Sequence, residues 1–187
     1  MKTRSLRFVW LTLIMLLLIS GGCNWFGGQP QRRPEPGPGQ QQQQQPRALQ
    51  SEPEITVYMH ETGEKKKMMM EEYLQGVVAG EMKVDWPVNA LAAQAIIART
   101  FTMYKIDEGG VPERGTQAST DIKEFQAYNA KAVNDNVKKA VQMTRGMVLT
   151  HQGKPIHAWF HASAGGITAT AKEGLNYQKD EPPYIQS

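Results

Sequence analysis

Glu81 is the residue in this sequence whose type and position best suit acid–base chemistry. Leu74, Val77 and Val78 precede it by seven, four and three positions, so a helix would place Glu81 on their apolar face. A carboxylate drawn partly out of water holds its proton more readily, which a general acid requires. The same position also suits a structural ion pair with a cation such as Arg99, so the spacing leaves both interpretations open.

Gln94 and Arg99 lie five residues apart in an alanine-rich stretch that predicts a helix over residues 88–105. Side chains at this separation project in different directions, so the two do not form one clamp. Gln94 is expected to be buried, where it is either a satisfied polar residue at a helix crossing or a hydrogen-bond donor to a ligand or to Glu81. Arg99 either contacts substrate or braces the fold.

A third group of polar and aromatic side chains lies near the carboxyl end of the chain. His157, Trp159 and His161 alternate along a predicted strand over residues 155–161 and would share one side of it. The two histidines are metal-ligand types, but the chain has a single cysteine and no evident third ligand, so we expect neither a metal nor a cofactor. We expect a surface that faces a ligand, with Trp159 available for stacking and Ser163 in a tight loop.

Two helices and several short strands are expected to position these residues. Residues 69–82 predict the first helix, which must end before Pro87 because the residue preceding a proline disfavours helical geometry. The other predicted elements are a strand over residues 55–60, a turn over 61–67, the helix over 88–105, and strands over 147–150 and 155–161 around Gly153. The pattern predicts one α+β domain over residues 54–187, in which the two adjacent helices pack on short mixed strands.

Residues 1–53 are predicted to form an export signal and a linker. A basic start followed by an apolar run over residues 8–19 is typical of a signal peptide, here residues 1–22. The small residues before Cys23 resemble a lipobox, so we expect a lipidated Cys23 that anchors the protein outside the cytoplasmic membrane. The alternative is an ordinary signal peptide with an incidental cysteine. The proline- and glutamine-rich residues 23–53 are predicted to be a disordered linker.

The charge of the chain gives no reason to expect a nucleic-acid partner. Its formal net charge is +3, and Lys2, Arg4 and Arg7 lie in the predicted signal peptide, which leaves the remainder close to neutral. The lysines at positions 65–67 fit a solvated turn, and they are not interleaved with aromatic residues as a strand-binding groove requires.

Residues 71–101, EEYLQGVVAGEMKVDWPVNALAAQAIIARTF, resemble the opening signature of the stage II sporulation protein D / LytB family. A Gln-x-Tyr element at Gln126 and Tyr128 and the stretch GKPIHAWFHASAGGITAT at residues 153–170 also fit, and the resemblance covers about residues 55–187. It implies action on peptidoglycan glycan strands in sporulation or wall remodelling, with the family's catalytic glutamate at Glu81. With a glycan substrate we predict contacts at Gln94, Arg99, Tyr128, Trp159 and Ser163, with Trp159 stacked on a pyranose ring and Gln94 donating a hydrogen bond to a sugar.

The resemblance implies a lytic transglycosylase, in which one carboxylate protonates the glycosidic oxygen and then assists attack by the 6-hydroxyl of N-acetylmuramic acid. The product is a 1,6-anhydro end, and no pair of carboxylates at a defined separation is needed, unlike in glycoside hydrolases. The family also includes enhancers of cell-wall amidases, so the alternative is a non-catalytic module that binds peptidoglycan and an amidase. The family domain continues beyond the position of Ser187, so we expect only part of it here.

Overall fold

The structure is a computed structural model that describes residues 46–49, 51–161 and 163–185. The predicted signal peptide, Cys23 and most of the predicted linker lie outside these residues. The elements in chain order are β1 (Pro46–Ala48), β2 (Glu54–Met59), β3 (Glu64–Met69), α1 (Met70–Glu81), α2 (Val88–Asp107), β4 (Ala118–Ser119), a 3-10 turn (Ala130–Ala132), α3 (Asp135–Met143), β5 (Met147–His151), β6 (Lys154–Pro155) and α4 (Ala171–Leu175).

The helix pair follows the predicted pattern closely. α1 begins one residue later and ends one residue earlier than the prediction, and α2 extends two residues further. The short connection between them ends at Pro87, which immediately precedes α2. The apolar face of α1 forms much of the core, with Tyr73, Leu74, Val77 and Val78 all 0% exposed. The mixed helix and strand content agrees with the α+β prediction at this level.

The first sheet has the strand order β3-β2-β4, with β2 antiparallel to β3 and parallel to β4. The predicted turn over residues 61–67 is wrong in extent, because Lys65, Lys66 and Lys67 lie in β3 opposite Tyr58, Val57 and Thr56. The lysines obscured this strand since Met68 is its one buried side chain. Exposed lysines on an edge strand discourage pairing with other chains.

The second sheet has the order β1-β5-β6, with both strand pairs antiparallel. β1 lies inside the range predicted as a linker, and Leu49 N donates to Gly146 O at 2.7 Å. Glu52, also upstream of residue 54, accepts a hydrogen bond from Glu71 N at 3.0 Å. The folded region of the structure therefore begins before residue 54.

The hairpin predicted around Gly153 is present, but its second strand is short. β6 contains only Lys154 and Pro155, and residues 156–161 form no strand. Trp159 N donates to His157 O at 2.8 Å, a contact two residues apart that turns the chain sharply. The prediction of a strand over residues 155–161 is therefore wrong beyond Pro155.

α3 was not predicted, although its sequence carries a helix signal. The Asn134 side chain caps it by accepting from Val137 N at 3.0 Å. Val137, Ala140 and Val141 are buried at helical spacing against the α1–α2 core. No helix within the described residues is long and apolar enough to span a bilayer.

Candidate functional site

Glu81 is the last residue of α1 and is partly buried. Its Oε1 accepts a hydrogen bond from the backbone N–H of Ala127 at 2.8 Å. Among the described residues no hydrogen-bond partner reaches its Oε2. One oxygen is therefore held by the fold, and the other remains available to a ligand.

The segment that holds Glu81 comprises residues 125–129 and crosses the face of α1 that carries Gly76 and Gly80. Asn129 N donates to Gly76 O at 2.8 Å. The Tyr128 ring stacks on Tyr73, with centroids 5.7 Å apart and planes 14° apart. A side chain at Gly80 would lie 2.6 Å from the backbone of Ala127, so only glycine allows this approach. The predicted Gln-x-Tyr element, Gln126 to Tyr128, therefore lies against α1 and contacts Glu81 through the Ala127 N–H.

Tyr73 lies beneath this segment and is completely buried. Its hydroxyl donates to Ser119 O at 3.2 Å. Burial raises the pKa of Tyr73 well above its ordinary value. This side chain stays neutral and supports the Tyr128 ring from below.

Arg99 is fully buried and is paired with Glu71 rather than with Glu81. Its Nε and Nη2 donate to the two Glu71 carboxylate oxygens at 2.9 and 2.6 Å. Nη1 donates to Met147 O at 3.0 Å, and Gly146 N donates to Glu71 Oε1 at 3.0 Å. These contacts tie α1, α2 and β5 together, so the structure favours the bracing interpretation of Arg99.

Gln94 is buried on α2, as expected from the sequence. Its Nε2 has no hydrogen-bond partner among the described residues. Gln94 lies five residues from Arg99 toward the start of α2, about 7.5 Å along the helix axis. The structure therefore does not show the satisfied helix crossing that was one of the two sequence interpretations.

Trp159 belongs to a cluster of aromatic rings that packs on α2. Its ring lies 3.7 Å from the His157 ring and 4.9 Å from the Tyr177 ring. His157 also stacks on Tyr104, at 4.2 Å between centroids and 15° between planes. Burial lowers the pKa of His157 to about 4, with a further contribution from the charge of Lys105, so this ring is neutral near pH 7.

Trp159 and Ser163 line the same open cavity of about 450 Å³. His161, Ile167 and Tyr184 also line it, and Glu81 does not. Trp159 and Ser163, both predicted as substrate contacts, therefore lie close together. The predicted general acid, Glu81, does not line their cavity. Within the described residues no group of three or more His, Cys, Asp or Glu side chains is arranged to hold a metal ion.

Sequence reasoning missed Glu71, Gly76, Gly80 and Ala127 as residues that shape the site. The two glycines gave a usable signal, because glycine inside a helical pattern weakens the helix and suggests a close approach by another segment. The backbone of Ala127 gave none, since its N–H is independent of its side chain.

Comparison with known proteins relates the part of the chain around Glu81 to one family. A family model described as Stage II sporulation protein matches residues 58–151. Four predicted site residues, Glu81, Gln94, Arg99 and Tyr128, lie inside this match, and Trp159 and Ser163 lie outside it.

Three curated proteins illustrate the similarity. The chain is 33% identical over 156 residues to stage II sporulation protein D of Bacillus amyloliquefaciens, covering 76% of this chain and 44% of that protein. It is 37% identical over 100 residues to the amidase enhancer of Bacillus subtilis, covering 54% and 13%. It is 36% identical over 110 residues to an uncharacterized protein of Brachyspira hyodysenteriae, covering 57% and 28%.

The chain spans less than half the length of each of these relatives. The family model nevertheless covers half of the chain, including both long helices and Glu81 at the end of the first. This chain belongs to the stage II sporulation protein family.

Proposed function

We propose that this protein cleaves the glycan strands of peptidoglycan as a lytic transglycosylase, with Glu81 as its general acid and base. The observation that carries the proposal is the arrangement of the Glu81 carboxylate. Oε1 is held by Ala127 N at 2.8 Å, while Oε2 has no hydrogen-bond partner among the described residues. A fixed carboxylate with one available oxygen suits proton transfer to a bound substrate.

Two other carboxylates make local contacts within their own segments. Asp121 accepts from Lys123 N at 2.9 Å, and Glu173 forms the capping box of α4 with Thr170. A hydrolytic mechanism uses two carboxylates that flank one bond. An intramolecular displacement uses one acid/base group, a role that the Glu81 carboxylate held at the end of α1 can fill.

The proposed reaction begins with transfer of the Glu81 proton to the glycosidic oxygen as the bond from that oxygen to the anomeric carbon breaks. The resulting carboxylate then accepts the proton of the 6-hydroxyl of the same N-acetylmuramic acid residue, whose oxygen bonds to the anomeric carbon. The products are a 1,6-anhydro end and a free hydroxyl on the leaving sugar. Glu81 regains its proton, and no water or cofactor is consumed.

The test is mass spectrometry of fragments released from purified glycan strands by the detergent-solubilised full chain. Glu81→Gln should reduce the rate of 1,6-anhydro product formation by at least about 100-fold, because it removes the proton donor while preserving shape. Glu72→Gln is the matched control, since Glu72 is exposed on the same helix and pairs with Lys66 at the surface at 3.6 Å. A wild-type chain that forms no anhydro ends, or a Glu81→Gln variant as active as wild type, would overturn the proposal.

Similarity to a protein named amidase enhancer supports a second candidate function, the binding of peptidoglycan together with a cell-wall amidase. This function requires no proton transfer by Glu81. Addition of the chain to a purified amidase and peptidoglycan would then increase release of stem peptides equally for wild type and Glu81→Gln. Acceleration of the amidase without anhydro products would favour the enhancer over the transglycosylase.

We further propose that Cys23 is lipidated, which would keep the domain outside the cytoplasmic membrane and near its wall substrate. The sequence before Cys23 and the proline- and glutamine-rich residues after it support this placement. Cells that express the protein should incorporate labelled fatty acid into it, and Cys23→Ser should abolish the label. Equal labelling of the two proteins would exclude Cys23 as the anchor.

A further inference from the structure

Two glycines in α1 occupy positions where alanine would favour the helix. Gly76 lies in the interior of Met70–Glu81, where glycine costs roughly 1 kcal/mol relative to alanine, and Gly80 is the next-to-last residue of the helix. Neither has the positive φ that would require glycine. Their separation of four residues places them on one face of the helix.

The 125–129 segment occupies the space that these glycines leave. A Cβ at Gly76 would overlap the Tyr128 ring, and a Cβ at Gly80 would lie 2.6 Å from both Ala127 C and Tyr128 N. The second conflict involves backbone atoms, so no side-chain rotation can relieve it. The glycines therefore allow the segment to approach α1 closely.

Each residue of the segment has its own contact with the helix pair. Phe125 meets Phe101 edge to face at 5.4 Å, and Gln126 Nε2 donates to Thr102 Oγ1 at 3.0 Å. The contacts of Ala127, Tyr128 and Asn129 with α1 are those given above. Anchors on both sides of Ala127 leave its N–H little freedom to move away from Glu81.

We propose that the 125–129 segment is a positioning device for Glu81, which rests on the function proposed above. The Ala127 N–H holds one carboxylate oxygen, and Gly80 and Tyr128 act through it as positioning residues. Tyr128 is then a support that stacks on Tyr73, not the substrate contact predicted from the sequence. A carboxylate displaced by about 1 Å can lose on the order of 100-fold in rate, so fixing it matters to the chemical step.

The first test measures the contact itself, independently of activity, as the hydrogen-exchange rate of the Ala127 amide in the full chain by NMR. Glu81→Ala should accelerate this exchange about tenfold or more, because it removes the acceptor. Glu81→Gln retains an acceptor and should preserve most of the protection. Amides of Leu74 and Val77 in the core should exchange as in wild type, which shows that the fold is intact.

The second test separates positioning from substrate binding. Gly80→Ala should accelerate Ala127 exchange and lower kcat about 10- to 100-fold, with KM changed less than about threefold. Tyr128→Ala should lower kcat in the same way, and the conservative Tyr128→Phe should restore it because the stacked ring is kept. Glu72→Gln is again the control on α1.

The outcomes for the two proposals are distinct. An unchanged Ala127 exchange rate in Glu81→Ala overturns the positioning inference whatever the activity. A rise in KM with normal kcat in Tyr128→Phe also overturns it, since this would make the hydroxyl a substrate contact. Absence of anhydro products from wild type, with accelerated exchange in Glu81→Ala, overturns the proposed function but leaves the measured contact between the segment and Glu81 in place.

Discussion

The α1–α2 pair and the residues that follow β6 are stabilised by different kinds of contact. In the helix pair, Arg99 and Glu71 are buried and pair with each other through directional hydrogen bonds. After β6, His157 and Trp159 are held by ring stacking, and Ile167 is 76% exposed. Directional contacts to a buried charge define one geometry, whereas stacking and partial burial constrain position less tightly. We therefore expect the first region to hold a reactive group in place and the second to adapt to a ligand.

The largest expected difference between the regions concerns the buried ion pair. Arg99→Met should lower the free energy of unfolding by about 3–5 kcal/mol, because it leaves the Glu71 carboxylate buried without its cation. Lys66→Met removes an exposed pair with Glu72 and should cost less than about 1 kcal/mol. Urea denaturation of both variants measures this contrast. Similar small losses for the two would show that the Glu71 site admits water.

The stability that the aromatic cluster contributes should depend on pH through His157. His157 is neutral in the folded protein down to pH about 4, whereas the unfolded chain takes up its proton near 6.5. The stability from neutral His157 is therefore fully present above pH 6.5 and is lost progressively as the pH falls to about 4.

The size of this loss is on the order of 2 kcal/mol between pH 7 and 4.5, allowing for partial solvent exposure. His157→Phe should remove it, because phenylalanine preserves the stack on Tyr104 and does not titrate. His157 Nδ1 has no partner within the described residues, so this change breaks no hydrogen bond of that atom. The test compares the urea midpoints of wild type and His157→Phe at the two pH values. If the midpoints of the two proteins change equally with pH, the effect is not due to His157.

A smaller effect is expected from the hydroxyl beneath the 125–129 segment. Tyr73→Phe should lower the free energy of unfolding by about 1 kcal/mol, because Ser119 O loses its buried donor. Tyr58→Phe is a suitable control, since it retains the ring that lies 4.2 Å from the Arg114 guanidinium carbon. Thermal denaturation measures the loss of stability in each variant. Equal losses in Tyr73→Phe and Tyr58→Phe would mean that water contacts the Tyr73 hydroxyl.

The smallest effect is expected at the exposed apolar residues of the second region. Ile167→Ser should change the free energy of unfolding by less than about 0.5 kcal/mol, because its side chain is 76% exposed. Leu74→Ala, in the buried core of α1, should cost about 2–5 kcal/mol. A loss above about 1 kcal/mol in Ile167→Ser, measured by urea denaturation, would mean that this region packs more tightly than the structure shows.

Sequence reasoning succeeded where the spacing of apolar residues, or a proline, marks an element directly. The 3.6-residue spacing of Leu74, Val77 and Val78 predicted α1, and Pro87 predicted the break before α2. It failed for β3, whose charged residues hide its pairing with β2, and for residues 156–161, where the chain turns after Ala158. Pairing with the neighbouring strand β2 and a local turn both override the alternation on which a strand prediction depends.

The sequence by itself determined the two long helices, the mixed α and β content and the position of Glu81 at the end of an apolar helix face. Tertiary structure alone decided that Arg99 pairs with Glu71 and that Ala127 N holds Glu81. These contacts join residues 28 and 46 positions apart, so no periodicity in either segment encodes them. Helical spacing follows from neighbours in the chain, whereas the choice of a partner for a buried charge follows from packing of the whole domain.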